Sequence, residues 1–414
     1  MPDDVPDQAP VADRPSRGWL IRTLVTALFG MTAIQAMRPM VSYRALELGA
    51  SAFELGIVAA SYALLSFLFA APLGSWIDRL GEARFLIGGT ATTTLIAVVL
   101  SQADSLPAVI GAQALLGLGQ VTALVALQTL VANGGPRAGR DARFGAFTVA
   151  ASTTQIIGPM SAGFLYDTAG LSSGRVFLLA GIPAIAAVGM AVSLLVRPAP
   201  RSTGRGVGAR SPSERFFTTV GTVMRRPSIP HAMLVSVAVL TSIDLLIAYL
   251  PAYGEANGIP ASTIGVMLGA RAAAGMASRV LMLPMLRRST RRRLLAQSTL
   301  LPCVALLLLP LTDVTIVLIG LLAVAGFGLG LGQPLSMAWI ADQVPRSIRG
   351  TALGIRITGN RLGQFVVPVA VGAVAGATSI AAIFVISGVT LGVSALVMSR
   401  APDGGGTPGE AAAG

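Results

Sequence analysis

The feature that most limits the fold of this chain is a series of long apolar runs. A transmembrane helix needs about 20 apolar residues, and the breaks between the runs predict about twelve such helices. The predicted spans are 19–46, 53–78, 84–103, 106–133, 143–166, 175–196, 229–254, 261–286, 293–311, 314–341, 350–376 and 379–399. Only 12% of the residues are charged, against about 25% in a soluble domain. We therefore expect an all-α membrane protein.

Two rare residue types limit the chemistry of the chain. Its single cysteine, Cys303, and its single histidine, His231, cannot form a disulfide framework or a Cys/His metal site. We interpret Cys303 as a small apolar filler rather than half of a catalytic pair. We expect no metal, no cofactor and no enzymatic activity.

The basic residues predict the orientation of the spans. The net charge is +12 and the chain contains no lysine. The arginines alternate with acidic loops instead of forming the single patch that a nucleic-acid-binding protein needs. Arginines of alternate loops are Arg79, Arg84, Arg137, Arg140, Arg143, Arg197 to Arg226, Arg287 to Arg293, Arg346 and Arg349, whereas the opposite loops hold Glu47, Glu54, Asp104, Asp167, Glu255 and Asp313. The positive-inside rule then places both termini in the cytoplasm. We expect the chain to lie in the cytoplasmic (inner) membrane.

The polar stretches divide the chain into two halves. We expect disordered cytoplasmic tails over 1–17 and 400–414, because both are polar and rich in proline or glycine. An N-terminal six-helix bundle over 18–196 and a C-terminal six-helix bundle over 229–399 are joined by a cytoplasmic linker over 197–228.

The halves also repeat each other at one fixed offset of 209 positions. Matching pairs are Gly49 and Gly258, Arg84 and Arg293, Asp104 and Asp313, Gly117 and Gly326, Gln155 and Gln364, Pro159 and Pro368, and Gly163 and Gly372. Two such halves are typical of transporters, in which the binding site lies near the bilayer midplane between them.

The segment GSWIDRLGEAR resembles the loop signature of the major facilitator superfamily, twelve-span bacterial type. The matching residues are Gly74, Asp78, Arg79, Gly81 and Arg84. Glu82 departs from the signature, because the family usually has a basic residue there. The resemblance implies two pseudo-symmetric six-helix bundles and a gate at the cytoplasmic side formed by the matching residues. Arg287 stands at the position equivalent to Asp78, so we expect an asymmetric gate.

A second resemblance concerns the fifth span. Antiporters of the family have glycines and a Gly-Pro there, and the matching residues are Gly145, Gly158, Pro159 and Gly163. Thr154 and Ala162 stand where glycines are usual, and close helix packing alone explains the matches equally well. On the fourth span Gln113 stands where proton antiporters of the family often have arginine, which weakens the antiporter interpretation.

Polar residues inside apolar spans mark the candidate site, because a charge at bilayer depth is costly. We predict a substrate site formed by Gln35, Arg38, Gln155, Tyr249, Arg271, Asn360, Arg361 and Gln364. Asp244, the one acid near the midplane, is the candidate proton carrier. A structural Arg361–Asp244 ion pair is the alternative, and hydration at the outer surface is an alternative for Arg38. We expect Arg279 and Arg356 to snorkel or to bind backbone carbonyls.

These observations predict a secondary active transporter of a small organic solute, working by alternating access. The sequence has no phosphate-binding GxxxxGK[ST] loop, so we expect a proton gradient as the energy source. The excess of buried arginine favours an anionic solute. The alternative is a drug or metabolite efflux proton antiporter with structural arginines, and a third possibility is a non-transporting sensor or enzyme on the same fold. We expect a lipid-embedded monomer without a nucleic-acid partner.

Overall fold

The computed structural model describes residues 18–135, 139–196, 221, 223–225, 228–345 and 348–402, without the side chains of residues 70, 71, 75 and 78. The predicted tail over 1–17, nearly all of the second tail and most of the predicted linker lie outside these ranges. Ala401, two residues after the helix that ends at Ser399, is fully buried, and its carbonyl oxygen accepts a hydrogen bond of 3.1 Å from Nη1 of Arg292.

The described residues form twelve long helices and no strand. The helices are α1 (Gly18–Glu47), α2 (Ala52–Leu80), α3 (Glu82–Ser101), α4 (Leu106–Asn133), α5 (Arg140–Asp167), α6 (Ser173–Val196), α7 (Ser228–Ala256), α8 (Ala261–Arg288), α9 (Arg291–Leu308), α10 (Thr315–Asp342), α11 (Arg349–Ala377) and α12 (Ala382–Ser399). A short 3₁₀ turn, Leu309–Leu311, follows α9. The prediction of an all-helical chain with twelve long helices is confirmed.

Ten of these helices are long and apolar enough to cross a membrane. Among the described helices, α5 and α11 do not meet that criterion, although each has 28 or 29 residues. They occupy equivalent places in the two halves, and both contain arginine and glutamine. A spanning helix with that composition needs partners inside the protein for its polar side chains.

The two halves have the same internal packing. In the first half α1 packs on α5 and α6, α3 packs on α4 and α6, and α2 packs on α4. In the second half the equivalent helices make the same contacts, with α7 on α11 and α12, α9 on α10 and α12, and α8 on α10. The predicted pair of pseudo-symmetric six-helix bundles is confirmed.

The halves meet along α2 with α11 and along α5 with α8. A Cβ added at Gly56 would lie 2.5 Å from the carbonyl oxygen of Pro368, and one at Gly265 would lie 2.6 Å from that of Pro159. These two contacts are equivalent under the repeat. Only glycine permits such close approach of two helix backbones.

A second equivalent pair of contacts lies at the same end of the molecule. A Cβ at Gly163 would lie 2.3 Å from the oxygen of Ala261, and one at Gly372 would lie 2.9 Å from that of Ala52. Ala52 and Ala261 begin helices that start far from the described N-terminus, so this end of the molecule is opposite the termini. We call it the far end.

Three of these helices show no such close contact toward their other ends. Among the described residues, a Cβ added at Gly74 on α2, at Gly145 on α5 or at Gly354 on α11 would meet nothing within 4 Å. The tight backbone contacts between the halves therefore lie at the far end.

The buried apolar residues show the same asymmetry. One cluster combines both halves and includes Met37, Leu55, Tyr249 and Val371. The other two clusters each belong to one half. The shared cluster lies at the far end and in the middle of the molecule, so among the described residues the halves have a common core there.

Candidate functional site

The centre of the molecule contains an ion pair between the halves. Nη2 of Arg38 on α1 donates a hydrogen bond of 2.6 Å to Oδ1 of Asp244 on α7. The side chains are 12% and 11% exposed. Asp244 lies 16 residues into α7, roughly 24 Å along a helix of roughly 43 Å, so the pair lies near mid-depth.

Asp244 has a second donor from α11. Nε2 of Gln364 donates to Oδ2 of Asp244, and Nη1 of Arg361 donates to Oε1 of Gln364 over 3.2 Å. The alternative of a direct Arg361–Asp244 ion pair is wrong for this structure, because Arg38 occupies that position and Arg361 contacts Asp244 through Gln364. Four predicted residues thus form one chain of contacts across α1, α7 and α11.

Tyr62 on α2 completes the surroundings of Arg38. The guanidinium carbon of Arg38 lies 4.4 Å from the centre of the Tyr62 ring, which is cation–π geometry. The Tyr62 hydroxyl is buried and has no hydrogen-bond partner among the described residues. Arg38 is therefore enclosed by protein rather than hydrated at the surface.

Arg271 on α8 is the equivalent of Tyr62 under the repeat. A Cβ at Gly117 would lie 1.9 Å from the carbonyl oxygen of Tyr62, and one at Gly326 would lie 2.0 Å from that of Arg271. The two side chains therefore start from matching places in the two halves. Arg271 lies within electrostatic range of Arg38 and Asp244.

Arg271 is also the least compensated charge of the centre. The residue is 4% exposed, and its Nε has no hydrogen-bond partner within the described part of the chain. The ion pairs among the described residues are Arg38–Asp244, Arg44–Glu47 and Arg291–Asp342, so no carboxylate of those residues pairs with Arg271. A buried cation without a counter-ion is unfavourable.

A small pocket opens beside the ion pair. Its lining residues are Arg38, Ser42, Val58, Ala59, Gln113, Asp244, Ile247 and Ala248. Gln113 on α4 is 5% exposed, and its Oε1 finds no hydrogen-bond partner in the described structure. The pocket thus combines an ion pair, an amide and an apolar wall.

A second polar network lies within the C-terminal half. Nη2 of Arg356 donates to the carbonyl oxygen of Gln333 over 3.0 Å and to Oγ of Ser336 over 3.1 Å, and also contacts Oε1 of Gln333. Nε2 of Gln333 donates to the carbonyl oxygen of Ser236 over 2.7 Å, and Oγ of Ser236 donates to Oδ1 of Asn360 over 2.9 Å. Asn360 therefore faces this network rather than Asp244.

Arg279 links the halves near α5. Its Nε donates to the carbonyl oxygen of Gly330 over 3.3 Å, and its Nη1 donates to Oγ of Ser152 over 3.1 Å. Carbonyl binding was expected for Arg279 and Arg356, and both have it. The contact with Ser152 was not anticipated.

Three other predicted substrate residues lie outside the central chain of contacts. The hydroxyl of Tyr249 donates to the backbone oxygen of Ala52 over 3.0 Å and of Pro368 over 3.4 Å, so it joins α7 to the far-end contact. Gln35 and Gln155 are half-buried, and no hydrogen bond of either side chain is seen within the described residues. Gln35 instead packs on α5, where a Cβ added at Gly158 would lie 2.6 Å from the Cβ of Gln35.

The predicted gate residues lie where α2 turns into α3. Gly81 has φ +94° and ends α2 with its N–H donating to the oxygen of Ile77 over 2.9 Å. Arg79 and Arg84 are exposed. The side chain of Asp78 lies outside the described residues, so the gate remains a prediction.

Tyr62, Ser152, Ser236, Gln333 and Ser336 were missed by the sequence interpretation. Serine and tyrosine are common in spanning helices and give no signal by themselves. The repeat could have identified Tyr62, because Tyr62 is the equivalent of Arg271, which was a predicted substrate residue.

Comparison with known proteins agrees with this architecture. A family model described as "Major Facilitator Superfamily" matches residues 23–296 and 232–412. No curated protein matches the chain.

Several solved structures resemble the chain in fold. A nucleoside transporter NupG (D323A mutant) is 12% identical with a TM-score of 0.75, covering 92% of this chain and 98% of its own. A bacterial homologue of the human lysosomal transporter Spinster, inward-facing and unoccupied, is 13% identical with a TM-score of 0.74, covering 94% and 97%. A POT family transporter in complex with 5-aminolevulinic acid is 13% identical with a TM-score of 0.74, covering 93% and 95%.

At these identities the structural likeness concerns the fold alone. The family model, in contrast, covers nearly all of the described helices. The chain is a multi-pass membrane protein that belongs to the major facilitator superfamily.

Proposed function

We propose that this secondary transporter moves a small organic anion together with a proton, by alternating access of a central site to the two sides of the cytoplasmic membrane. The site consists of Arg38, Asp244, Arg271, Arg361 and Gln364. Arg271 and Arg361 hold the anion, and Asp244 accepts the proton.

The observation that supports an anionic substrate is the incompletely compensated charge of Arg271. Three arginines surround one carboxylate at the centre, and the described residues offer Arg271 no ion-pair partner. Removing an ion from water costs several kcal/mol even in a relaxed protein. A bound carboxylate or similar anion offsets that cost, and a guanidinium can hold it with two parallel hydrogen bonds.

The Arg38–Asp244 pair supports proton coupling. An anion bound next to Arg38 competes with Asp244 for the guanidinium. A buried carboxylate that loses its cation is stabilised by taking up a proton. Anion binding and proton binding then favour each other, as thermodynamic linkage requires, and both travel in the same direction.

The far-end contacts support the state in which the site faces the termini. The halves touch through Gly56, Gly163, Gly265 and Gly372 at the far end, whereas the glycines at the other end meet open space. With the predicted orientation this state faces the cytoplasm. The gate residues around Asp78 then act when the halves close at the cytoplasmic side.

The test is ligand binding by purified protein, followed by exchange in proteoliposomes. A ligand that binds only the native state raises the melting temperature. We expect organic acids to raise it and to show counterflow, and we expect Arg271→Gln to abolish both. Arg175→Gln, which removes an exposed arginine at the start of α6, is the matched control and should behave as wild type. Binding of acids that is unchanged in Arg271→Gln would refute the assignment.

The alternative of a drug or metabolite efflux antiporter has its own support. Arg279 and Arg356 have protein partners, as expected of structural arginines, and the fifth-span glycines Gly158 and Gly163 lie at helix contacts. Stabilisation by organic cations or neutral drugs, without any effect of acids, would favour it. A sensor or enzyme on the same fold would show no substrate-accelerated exchange.

A further inference from the structure

We infer that the transported anion has a hydroxyl group in addition to its acidic group, and that this hydroxyl binds in the pocket between Arg38 and Gln113. The inference rests on the proposed function, because it adds a second recognised group to the same substrate. Gln113 then acts as a specificity residue for the solute.

The pocket has two unpartnered polar atoms. Oε1 of Gln113 is a hydrogen-bond acceptor without a donor, and Nε of Arg38 is a donor without an acceptor, as judged from the described residues. Both side chains line the pocket. Arg38 uses Nη2 for Asp244, so its Nε remains available on the guanidinium edge. Buried polar groups are nearly always hydrogen-bonded, so these two atoms indicate a missing partner.

A hydroxyl that lies between the two atoms can satisfy both at once. It donates its proton to Oε1 of Gln113 and accepts a hydrogen bond from Nε of Arg38.

Other groups fit less well. An ammonium only donates, so Nε of Arg38 would stay without an acceptor. A carboxylate only accepts, so Oε1 of Gln113 would stay without a donor. A methyl group would leave both polar atoms without partners.

The remaining wall suits the carbon to which the hydroxyl is attached. Val58 and Ala59 on α2 and Ile247 and Ala248 on α7 present apolar surface to the pocket. A site that hydrogen-bonds a substrate hydroxyl rejects the analogue without it much more strongly than an apolar site can. We therefore expect a preference of at least roughly tenfold for the hydroxylated acid.

The experiment uses pairs of acids that differ by one hydroxyl. The pairs are lactate and propionate, 3-hydroxybutyrate and butyrate, and mandelate and phenylacetate. The affinity of each acid for the purified full chain is measured by thermal shift and by inhibition of counterflow. Gln113→Leu removes the acceptor at similar size. Gln120→Leu, on the same helix but lining a different pocket, is the matched control.

We expect the hydroxylated member to bind at least about tenfold tighter to wild type and to Gln120→Leu. In Gln113→Leu the two members should bind equally. Equal affinities of both members for wild type would overturn the inference but leave the anion assignment intact. In that case the pocket holds only a bound water. Preference retained in Gln113→Leu would remove Gln113 from the site. If no acid binds, the proposed function fails and the inference fails with it. The comparison in wild type needs no variant, so a misfolded Gln113→Leu does not prevent the test.

Discussion

Arg38 on α1 and Asp244 on α7 form an ion pair of 2.6 Å that joins the two halves at the centre of the molecule. Under the repeat, Gln35 is the equivalent of Asp244, and Ile247 is the equivalent of Arg38. The ion pair therefore has no counterpart at the equivalent positions. A single ion pair that joins the two halves is suited to respond to both a proton and a competing anion.

The pair should behave as a coupled unit in stability measurements. Removal of one partner from a buried pair costs about 3–5 kcal/mol, because the other charge stays buried without compensation. We expect Arg38→Gln and Asp244→Asn each to destabilise the protein by that order, and the double variant to recover a large part of the loss. Reversible unfolding in mixed detergent measures the cycle.

The control for this cycle is the Arg291–Asp342 pair, whose side chains are 34% and 58% exposed. Exposed pairs contribute about 0–1 kcal/mol, so Arg291→Gln and Asp342→Asn should have small effects. Simple additivity of Arg38→Gln and Asp244→Asn would contradict a direct pair.

Arg361 should be sensitive to a conservative change. Its guanidinium contacts Gln364, which in turn donates to Asp244. Lysine keeps the charge but not the planar, two-pronged geometry. We expect Arg361→Lys to fold normally and to bind an organic acid about tenfold more weakly, or about 1.4 kcal/mol. Arg279→Lys is the control, since Arg279 contacts backbone and serine. An unchanged affinity in Arg361→Lys would make Arg361 structural.

The far-end glycines should control which side is open. A leucine at Gly163 cannot be accommodated where even a Cβ would lie 2.3 Å from the oxygen of Ala261. We expect Gly163→Leu to hold the far end open, and Gly145→Leu, where a Cβ meets nothing within 4 Å, to leave the equilibrium unchanged. Spin labels are attached at Thr168 and Asn257 in a Cys303→Ser background. Double electron–electron resonance then measures the distance between the two labels. Identical distance distributions in the two variants would exclude this role.

Two glycines of the loop signature should respond to alanine with opposite signs. Gly81 has φ +94°, a conformation that costs a residue with a Cβ about 1–3 kcal/mol. Gly74 lies inside α2 with free space around it, where alanine is favoured by about 0.5–1 kcal/mol. We expect a lower melting temperature for Gly81→Ala and a higher one for Gly74→Ala. A stabilising Gly81→Ala would show that the turn relaxes.

Much of the fold could be predicted from the sequence, because bilayer thickness sets the length of each helix. The apolar runs gave helices with ends close to the observed ones, such as 106–133 for α4. The offset of 209 positions predicted which helices are equivalent, and the equivalent contacts of Gly56 and Gly265 follow from it. The helices α5 and α11 do not meet the apolar criterion that the other ten meet, and both contain arginine and glutamine.

The site was less predictable, because side-chain direction depends on how helices cross. Asn360 and Gln364 are four residues apart and share a helix face, yet Asn360 contacts Ser236 and Gln364 contacts Asp244. The sequence suggested Arg361 as a partner of Asp244, but the crossing of α1 and α7 brings Arg38 there. Tyr249 was placed in the substrate site, and its hydroxyl instead bonds the backbone of the far-end contact.

The most direct test of proton coupling is acid uptake into proteoliposomes under an imposed pH gradient, compared between wild type and Asp244→Asn. The same vesicles give counterflow without a gradient, which reports substrate binding and the movement of the halves. We predict that wild type accumulates an organic acid when the outside is acidic, and that Asp244→Asn keeps counterflow but loses accumulation. Accumulation by Asp244→Asn at the wild-type level would contradict the role of the Arg38–Asp244 pair in coupling.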